Sequence, residues 1–381
     1  MKAKSIFVSL LRNDNTPLIV LLTITIVTRL ILIANAPFTY YLDSYTYISK
    51  AINFVSSGTI QLGVGMPFIA FLGGFYYLFG SLSGSRLLML LMSGLLVSVI
   101  YFFGRKMSGK IFGFIAAIVA IFEPLFLSYS IVPHNDVFAI AMGITALYLA
   151  TSDTKFGYIL SPFFYYIAII TRPELSLVLV VPIFLFPIFK LLKTRSVRTV
   201  TTFVLSIFVY ILPLLWVFNY AQNLTRFGII EKFTLFLTPE LLKKTLAFSL
   251  SFYDESLLNQ AIFSFIVVGI VLGLFSIVSN FLSFQKRGSF CLIKRKKDGN
   301  AKKVFFSDRG ILAFLLSLVF ILDVIAITAY GYGYVIVSGN LEVLGWLPER
   351  YLILPRVLMS FPLAYPLSLI IQKLWAELNH E

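Results

Sequence analysis

Charged side chains recur where predicted apolar segments end, a position in which a charge is costly unless it has a partner or a function. Asp43 lies in the tyrosine-rich stretch TYYLDSYTYISKA, and Glu123 and Asp136 bracket the turn FEPLFLSYSIVPHND. Basic residues at comparable positions are Arg29, Arg172 and Arg350. A carboxylate can take the proton of a hydroxyl group, and arginine forks bind phosphate. Together these residue types suit a reaction on an anionic lipid headgroup.

Each of these residues also has a structural interpretation. The three arginines could be interfacial anchors whose side chains snorkel to the membrane surface. Asp136 could cap the helix that follows it, and Glu174, after Pro173, suits the dipole of a first helical turn. His134 is interpreted as a residue that stabilises the conformation of its loop, in preference to the alternative that it acts as a base. Asp43 is harder to explain structurally, because a belt of interfacial tyrosines needs no aspartate.

Composition identifies the environment of these residues. Of the 381 residues, 59% are hydrophobic and 13% are charged, whereas a soluble domain carries about 25% charged residues. That excludes an ordinary soluble protein, and the high hydrophobicity excludes a disordered chain. The single cysteine, Cys291, allows no internal disulfide, and two histidines far apart argue against a histidine-based metal centre. The sequence predicts an all-α integral membrane protein.

The predicted architecture is a polytopic bundle of about ten transmembrane helices in a single transmembrane domain, residues 1–381. A span needs about 20 apolar residues. Candidate spans are 15–36, 84–104, 109–124, 135–152, 156–171, 173–191, 199–219, 258–283, 310–336 and 350–372. The first is interpreted as a retained helix. Residues 66–82 are ambiguous, since they could be an eleventh span or an interfacial helix.

The distribution of loop charges predicts the orientation. With 66–82 interfacial and the N-terminus in the cytoplasm, 21 of the 31 basic residues and six of the 17 acids fall on the inner side. A full crossing by 66–82 would move basic clusters outside, against the positive-inside rule. Both termini are therefore predicted to be cytoplasmic, with outer segments at 37–83, 124–134, 220–257 and 337–349. The basic loop 284–309 is predicted to be cytoplasmic, near anionic lipid. The net charge of +14 therefore does not indicate a nucleic-acid-binding surface.

In their order and spacing, these residues resemble the polytopic GT-C glycosyltransferases, especially the branch of protein O-mannosyltransferases and lipid A aminoarabinose transferases. Such proteins have an arginine late in the first helix and then an outer loop that starts with Asp-Glu-x-x-Tyr. Arg29 and the run Asp43-Ser44-Tyr45-Thr46-Tyr47 match this pattern, with Ser44 in place of the second acid.

Later elements continue the resemblance. Asp136 matches an acid that opens a later helix of the family, and Thr171-Arg172-Pro173 matches a Thr-Lys/Arg-Pro/Gly element before a span. Near the C-terminus, Arg350-Tyr351 followed by Pro355 matches an Arg-Tyr pair and a proline. The sequence predicts no soluble outer domain of the kind that many relatives carry, which leaves recognition of the acceptor unexplained.

The resemblance implies an inverting transferase that moves a sugar from a polyprenyl-phosphate donor to an acceptor hydroxyl at the outer face of a prokaryotic cell membrane. It implies that Asp43 is the general base and that Asp136 either orients the acceptor or supports the base. It implies that the three arginines bind the donor phosphate. Candidate substrate-binding residues are Tyr47, Glu123, His134, Glu174 and Tyr351. No cofactor is implied, and nothing in the sequence supports a divalent metal. The acceptor could be a protein, a lipid or a glycan.

Two other function classes stay open at this point. A transporter or flippase of lipid-linked sugars predicts ionisable residues near mid-bilayer, for which Asp323 in VFILDVIAITAY is the candidate. A noncatalytic membrane scaffold predicts that the charges at the outer turns do not cluster. Wide separation of Asp43, Asp136 and Arg350, with no shared cavity, would argue against an enzyme.

Overall fold

The computed structural model describes residues 15–35, 42–59, 65–151, 155–173, 238–250, 308–330, 333–337, 340–344 and 352–380, with the single positions 179, 183 and 215. Within these residues the fold is helical apart from one short hairpin. Three helical stretches are long and apolar enough to cross a membrane: Thr16–Asn35, Ser83–Ser108 and Ile353–Lys373. Together with the composition, they support an integral membrane protein.

The described helices are α1 (Thr16–Asn35), α2 (Leu42–Ser57), α3 (Met66–Phe79), α4 (Ser81–Ser108), α5 (Lys110–Ile121), α6 (Pro124–Tyr129), α7 (Asn135–Ala150), α8 (Lys155–Thr171), α9 (Pro239–Leu250), α10 (Asp308–Tyr330), α11 (Ile353–Leu358) and α12 (Ser360–His380). Strands β1 (Gly333–Val337) and β2 (Asn340–Leu344) pair antiparallel, with Gly333 opposite Leu344.

Helix α7 lies at the centre of the bundle and is buried over almost its whole length. It packs mainly against α8 and α4. Small residues permit the closest helix approaches in membranes, where apolar burial supplies little attraction between helices. A Cβ on Gly104 of α4 would come within 2.6 Å of the Gly113 Cα of α5, so these two helices cross with their backbones nearly in contact.

The outward side of α1 is apolar and exposed, with Ile19, Ile26, Val27, Leu30 and Ile31 all on the surface. In water such a surface would be unfavourable, whereas lipid chains solvate it. The opposite side of α1 contacts α4 and α5 and carries the buried Leu21, Thr25 and Arg29. We interpret the exposed side as the lipid-facing surface of the bundle.

Several predicted spans correspond to observed helices: 15–36 to α1, 84–104 to α4, 109–124 to α5, 135–152 to α7 and 156–171 to α8. The ambiguous segment 66–82 contains α3, whose 14 residues extend about 21 Å at 1.5 Å per residue. The hydrocarbon layer is about 30 Å thick, so a complete crossing by α3 alone is disfavoured.

The predicted span 310–336 is wrong at its end, because α10 stops at Tyr330 and β1 begins at Gly333. Apolar, β-branched runs such as YVIV suit either a strand or a helix, which explains the misplaced end of span 310–336. The predicted span 350–372 corresponds to the helical stretch Ile353–Lys373, in which a single turn residue, Met359, separates α11 from α12. Span 258–283, residues 220–237 and 251–257 of the outer loop, and residues 284–307 of the basic loop lie outside the described residues. So do spans 173–191 and 199–219, apart from the single positions 173, 179, 183 and 215.

Candidate active site

Three chain segments meet at one end of the α7–α8 pair. The N-terminus of α7 lies beside the C-terminus of α8, and the Asn135 Nδ2 donates to the Thr171 carbonyl oxygen at 3.3 Å. The backbone N–H of Gly65, just before α3, donates to the Ile170 carbonyl oxygen at 3.0 Å. These bonds satisfy carbonyls at the end of α8 that have no partner within the helix. They also bring the start of α3 and the start of α7 to the same end of α8.

Local sequence explains where α7 and α8 begin and end. Arg172 stands directly before Pro173, and the residue before a proline avoids helical geometry, so α8 stops at Thr171. His134 has extended backbone angles, φ −130° and ψ 138°, and is the N-cap position of α7. Asp136 follows in the first turn, where a negative charge is favourable. The alternative that Asp136 is itself the N-cap is therefore wrong.

Four side chains form the carboxylate–histidine cluster: Asp43, His134, Asp136 and Arg172. The Asp136 Oδ1 lies 2.8 Å from the Arg172 Nε, and its Oδ2 lies 2.8 Å from the His134 Nδ1. On the other side of the ring, the His134 Nε2 lies 3.6 Å from the Asp43 Oδ2. The two carboxylates are thus connected through one imidazole. Two of the predicted site carboxylates therefore belong to one cluster, whereas Arg350 lies outside the described residues.

Exposure changes stepwise along this cluster. The side chain of Asp43 is 44% exposed, whereas those of His134 and Asp136 are 1% and 0% exposed. Arg172 is also buried. A buried carboxylate is costly without a counter-ion, and the Arg172 guanidinium supplies one for Asp136. Asp43 is therefore the most exposed member of the cluster, and the other three side chains are buried behind it.

Aromatic rings enclose the imidazole. Tyr47 and Tyr129 approach the His134 ring almost perpendicularly, with centroid distances of 5.9 and 5.7 Å. The Tyr47 ring packs in turn against Phe68 of α3, at 5.3 Å and 87°. Edge-to-face arrangements at these distances are favourable for aromatic pairs. The predicted residues Tyr47 and His134 are therefore in contact with each other, and the ring of His134 has little freedom to turn.

A second group, the turn cluster, consists of Arg29, Glu123, Ser130 and Arg356. Glu123 is the N-cap of α6, where its Oε2 accepts from the Phe126 backbone N–H at 2.6 Å. Its Oε1 lies 3.7 Å from the Arg356 Nη1. Burial raises the pKa of the Glu123 carboxyl in this turn, against the opposing effects of the Phe126 N–H and Arg356. Glu123 is 1% exposed, so its predicted substrate contact stays a prediction.

Arg29 supports the same turn from α1. Its Nε donates to the Ser130 Oγ at 3.1 Å, and its Nη1 donates to the Ile121 carbonyl oxygen at 3.0 Å. Its guanidinium carbon lies 4.9 Å from the centre of the Phe126 ring. The side chain is completely buried, which excludes the interpretation as a snorkelling anchor. The fixed fork of arginine suits such a set of directed contacts.

Among the predicted site residues, the structure brings together Asp43, Tyr47, His134, Asp136 and Arg172. Glu123 and Arg29 belong to the turn cluster. Arg350, Tyr351 and Glu174 lie outside the described residues. The sequence pattern did not predict the contacts of Tyr129, Ser130 and Arg356 with these residues. Arg356 does stand out in the sequence as one of the charges that open the last apolar span, but its partner does not.

Among the described residues, no group of three His, Cys, Asp or Glu side chains is placed to hold a metal ion. The expectation that no metal is used stays a prediction. The cluster provides instead one accessible carboxylate with a buried chain of hydrogen-bonding groups behind it. That arrangement suits the acceptance of a proton from a hydroxyl group, with Arg172 as a fixed positive charge nearby.

Comparison with known proteins gives a likeness at the level of the fold. No family model matches the sequence, and no curated protein matches it. Among solved structures, the chain is similar to the crystal structure of ArnT from Cupriavidus metallidurans bound to undecaprenyl phosphate. The TM-score is 0.50 and the sequence identity is 12%, over 96% of this chain and 64% of the length of that chain.

At this identity the likeness concerns the fold alone. Together with the apolar helices, it supports an integral membrane protein with a fold like that of ArnT.

Proposed function

We propose that this chain transfers a sugar from a polyprenyl-phosphate donor to an acceptor hydroxyl at the outer face of the membrane, with Asp43 as the general base. One observation carries the proposal: a half-exposed carboxylate is connected through His134 to a buried Asp136–Arg172 ion pair. The fold likeness to ArnT, whose crystal structure contains undecaprenyl phosphate, supports the donor class.

In the proposed reaction Asp43 removes the proton of the acceptor hydroxyl as the oxygen attacks the anomeric carbon. A new bond forms between that oxygen and the sugar. The bond from the anomeric carbon to the phosphate oxygen breaks, and its electron pair leaves with the lipid phosphate. The configuration at the anomeric carbon inverts. General-base catalysis of this kind contributes about 10²–10⁴-fold in rate.

The phosphate-binding role is proposed for Arg172 and Arg350. A guanidinium has five N–H donors, and the Asp136 contact of Arg172 engages its Nε. Positive charge near the leaving phosphate stabilises the negative charge that develops in the transition state. Arg29 is proposed to act indirectly, since its guanidinium is enclosed against Ser130 and Phe126.

The test uses the purified chain in lipid vesicles. The donors are undecaprenyl-phosphate-linked mannose, glucose and aminoarabinose, and the acceptors are a threonine-containing peptide, a glycolipid and an oligosaccharide. Mass spectrometry detects the product. We expect transfer by the wild-type protein, and at least a 10²-fold fall in kcat for Asp43→Asn with undecaprenyl phosphate binding retained. Glu240→Gln makes the same chemical change at an exposed position of α9 and is the matched control. Equal rates for Asp43→Asn and wild type would remove Asp43 as the base.

A second candidate function rests on Asp323 of α10. Its side chain is fully buried, and neither carboxylate oxygen has a hydrogen-bond partner among the described residues. Such a residue inside a bilayer is a candidate for an ion or substrate pathway. Movement of a labelled undecaprenyl-phosphate sugar across vesicles by the wild type, and its loss in Asp323→Asn, would support a flippase. Transfer without such movement would exclude it.

A further inference from the structure

Helix α2 has one exposed side that begins at Asp43. The Asp43 side chain is 44% exposed, and the helix contains no other acid and a single basic residue, Lys50. The opposite side of α2 carries the buried Ser44 and Ala51. The exposed positions that the structure describes in α2 are Tyr45, Thr46, Ser49, Lys50, Asn53, Ser56 and Ser57. None of these side chains is aliphatic, so the exposed side presents hydroxyl, amide and ammonium groups.

The exposed side of α2 contrasts with that of α1. On α1 the exposed side chains are mostly aliphatic, which suits contact with lipid chains. An ammonium group and an amide are costly in hydrocarbon unless they have partners, so we interpret the exposed side of α2 as facing water. The carboxylate that is proposed to act as the base therefore lies at the start of a helix surface that a polar molecule can reach.

Lys50 lies on the same side of α2 as Asp43. Seven residues separate the two, which is nearly two full turns, and their Cα atoms are therefore about 10 Å apart along the helix. Asn53 is three residues beyond Lys50 and is its neighbour on the helix surface. The hydroxyls of Ser56 and Ser57 donate to the Asn53 carbonyl oxygen, at 3.1 and 2.7 Å. We therefore assign ligand recognition to the Lys50 ammonium and the Asn53 amide.

The groups on this surface discriminate among a peptide, a lipid and a glycan as the acceptor. Backbone N–H groups of a helix are bonded within the helix, so α2 offers no strand edge with which an extended peptide could pair. A lipid would bury its chains against aliphatic side chains, which the exposed positions of α2 do not carry. Sugar hydroxyls donate and accept hydrogen bonds, as does the Asn53 amide. A glycan therefore fits this surface best.

The charge of Lys50 adds that the glycan is anionic. An ammonium group binds carboxylate or phosphate oxygens through charge-assisted hydrogen bonds. The donor phosphate is bonded to the anomeric carbon and so lies beside the reacting hydroxyl, whereas Lys50 is about two helical turns from Asp43. Lys50 therefore suits an anionic group of the acceptor in preference to the donor phosphate. Because Asp43 repels anions and Lys50 attracts them, the two charges also set the direction of an anionic acceptor along α2.

We propose that Lys50 and Asn53 bind an anionic glycan as the acceptor and hold one of its hydroxyl groups at Asp43. This inference rests on the proposed function, to which it adds the class of the acceptor. The Lys50 ammonium pairs with a carboxylate or phosphate of the glycan, and the Asn53 amide bonds to its hydroxyls. Neither residue takes part in the chemical step, so their contribution lies in binding and orientation of the acceptor.

Binding can be measured without transfer. The wild-type protein is held in phosphatidylcholine nanodiscs, and a microarray carries two pairs: tetragalacturonate with its carboxyl-reduced form, and phosphorylated mannotetraose with mannotetraose. An acidic threonine-containing peptide and phosphatidylglycerol vesicles represent the other acceptor classes. We expect an anionic glycan to bind about fivefold more tightly than its neutral form, the upper range for one exposed ion pair. Added NaCl should reduce this preference. Equal binding within both pairs, or binding of only the peptide or the vesicles, would overturn the inference.

Substitutions at Lys50 test whether this residue produces the preference for the anionic glycan. Lys50→Gln should abolish the preference, Lys50→Arg should retain it, and Lys50→Glu should reverse it. Lys373→Gln makes the same change at an exposed lysine of α12 and should bind as the wild type does. Asn53→Ala should weaken binding of both members of a pair about threefold, toward the lower end for one hydrogen bond. A Lys50→Gln protein with the wild-type preference would overturn the inference.

Steady-state kinetics separate acceptor binding from the chemical step. With the array glycan that binds most tightly as acceptor and an undecaprenyl-phosphate-linked sugar as donor, Lys50→Gln should raise the acceptor KM about fivefold. The kcat and the donor KM should not change. A fall in kcat at unchanged acceptor KM would overturn the inference and leave the proposed function standing. Failure of the wild-type protein to transfer sugar to any acceptor would overturn the proposed function and the acceptor role with it, and the array would still decide whether Lys50 binds an anionic glycan.

Discussion

The segment from Glu123 to Asp136 has a buried acid at each end, and the two ends differ in what surrounds them. At the Glu123 end, the members of the turn cluster are buried. The Glu123 carboxylate caps α6 and lies beside Arg356, and Arg29 of α1 donates a hydrogen bond to Ser130. At the Asp136 end, the carboxylate–histidine cluster leads outward through His134 to the half-exposed Asp43.

This difference distinguishes charged residues that stabilise a turn from charged residues that are placed to take part in the proposed reaction. Both ends pair a carboxylate with an arginine, and both are costly to place among apolar helices. Among the contacts of the described residues, the Asp136 end is the one that connects to a half-exposed group, Asp43. Pairing therefore does not distinguish the two roles, whereas connection to an exposed carboxylate does. Variants that remove one partner or both partners of each pair test this distinction.

The largest stability effect is expected at the Asp136 end. Arg172→Met leaves Asp136 as an uncompensated buried charge and should destabilise the fold by about 3–5 kcal/mol. The double variant Asp136→Asn/Arg172→Met removes both charges and should recover most of that loss. Transfer should stay at least tenfold below wild type in the double variant, since His134 has lost its orienting carboxylate. Thermal unfolding and kcat measure the two effects, and recovery of both together would contradict the assignment.

A smaller loss is expected at the Glu123 end, because the Glu123 Oε1 lies 3.7 Å from the Arg356 Nη1, a longer contact than those of Asp136. Arg356→Met should destabilise the fold by about 2–3 kcal/mol, toward the lower end of the range for broken buried pairs. Glu123→Gln/Arg356→Met should recover stability, and here transfer per folded molecule should recover with it. A double variant that is stable and yet inactive would show that Glu123 takes part in the reaction.

Arg29→Lys is expected to cost about 1–3 kcal/mol, the range for hydrogen bonds to charged groups. Lysine keeps the charge and loses the fork that reaches Ser130 and the Ile121 carbonyl at the same time. Arg86→Lys makes the same change on a partly buried arginine of α4 outside both clusters and is the control. Thermal unfolding should rank Arg29→Lys below the control, and equal midpoints would show that the fork contacts contribute little.

The smallest effect is expected for Gly65→Ala. Gly65 has φ +84°, in the left-handed region, where a side chain costs about 1–2 kcal/mol. A Cβ there would lie 3.4 Å from the Tyr47 ring, which is ordinary contact, so the cost comes from the backbone. Gly74→Ala in α3 meets no atom within 4 Å and should be neutral or stabilising. Unfolding midpoints that do not differ between the two variants would contradict this.

The sequence predicted the two aspartates of the carboxylate–histidine cluster better than the local role of the histidine between them. Asp43 and Asp136 stood out because a charge beside an apolar span needs an explanation, and the structure connects them. The apolar runs likewise predicted α1, α4, α7 and α8. The N-cap role of His134 was missed, because histidine is not among the preferred capping residues.

Long-range partners could not be predicted from local pattern. Arg356 meets Glu123 only because α11 packs beside α6, a contact between distant parts of the chain. Arg29 was predicted to bind phosphate, yet its neighbours are set by how α1 packs on α5 and the turn. Hydrophobic periodicity indicates which residues are buried, and it carries no information on which buried charges face each other.

The most direct test of the account compares Asp43→Asn with Glu123→Gln in the same vesicles, with kcat measured per folded molecule and an undecaprenyl-phosphate-linked sugar as donor. Both changes convert a carboxylate to an amide, one at the accessible end of its cluster and one inside the turn. The account predicts a fall of about 10²–10⁴-fold for Asp43→Asn and less than tenfold for Glu123→Gln. Equal losses in the two variants, or a larger loss for Glu123→Gln, would contradict it.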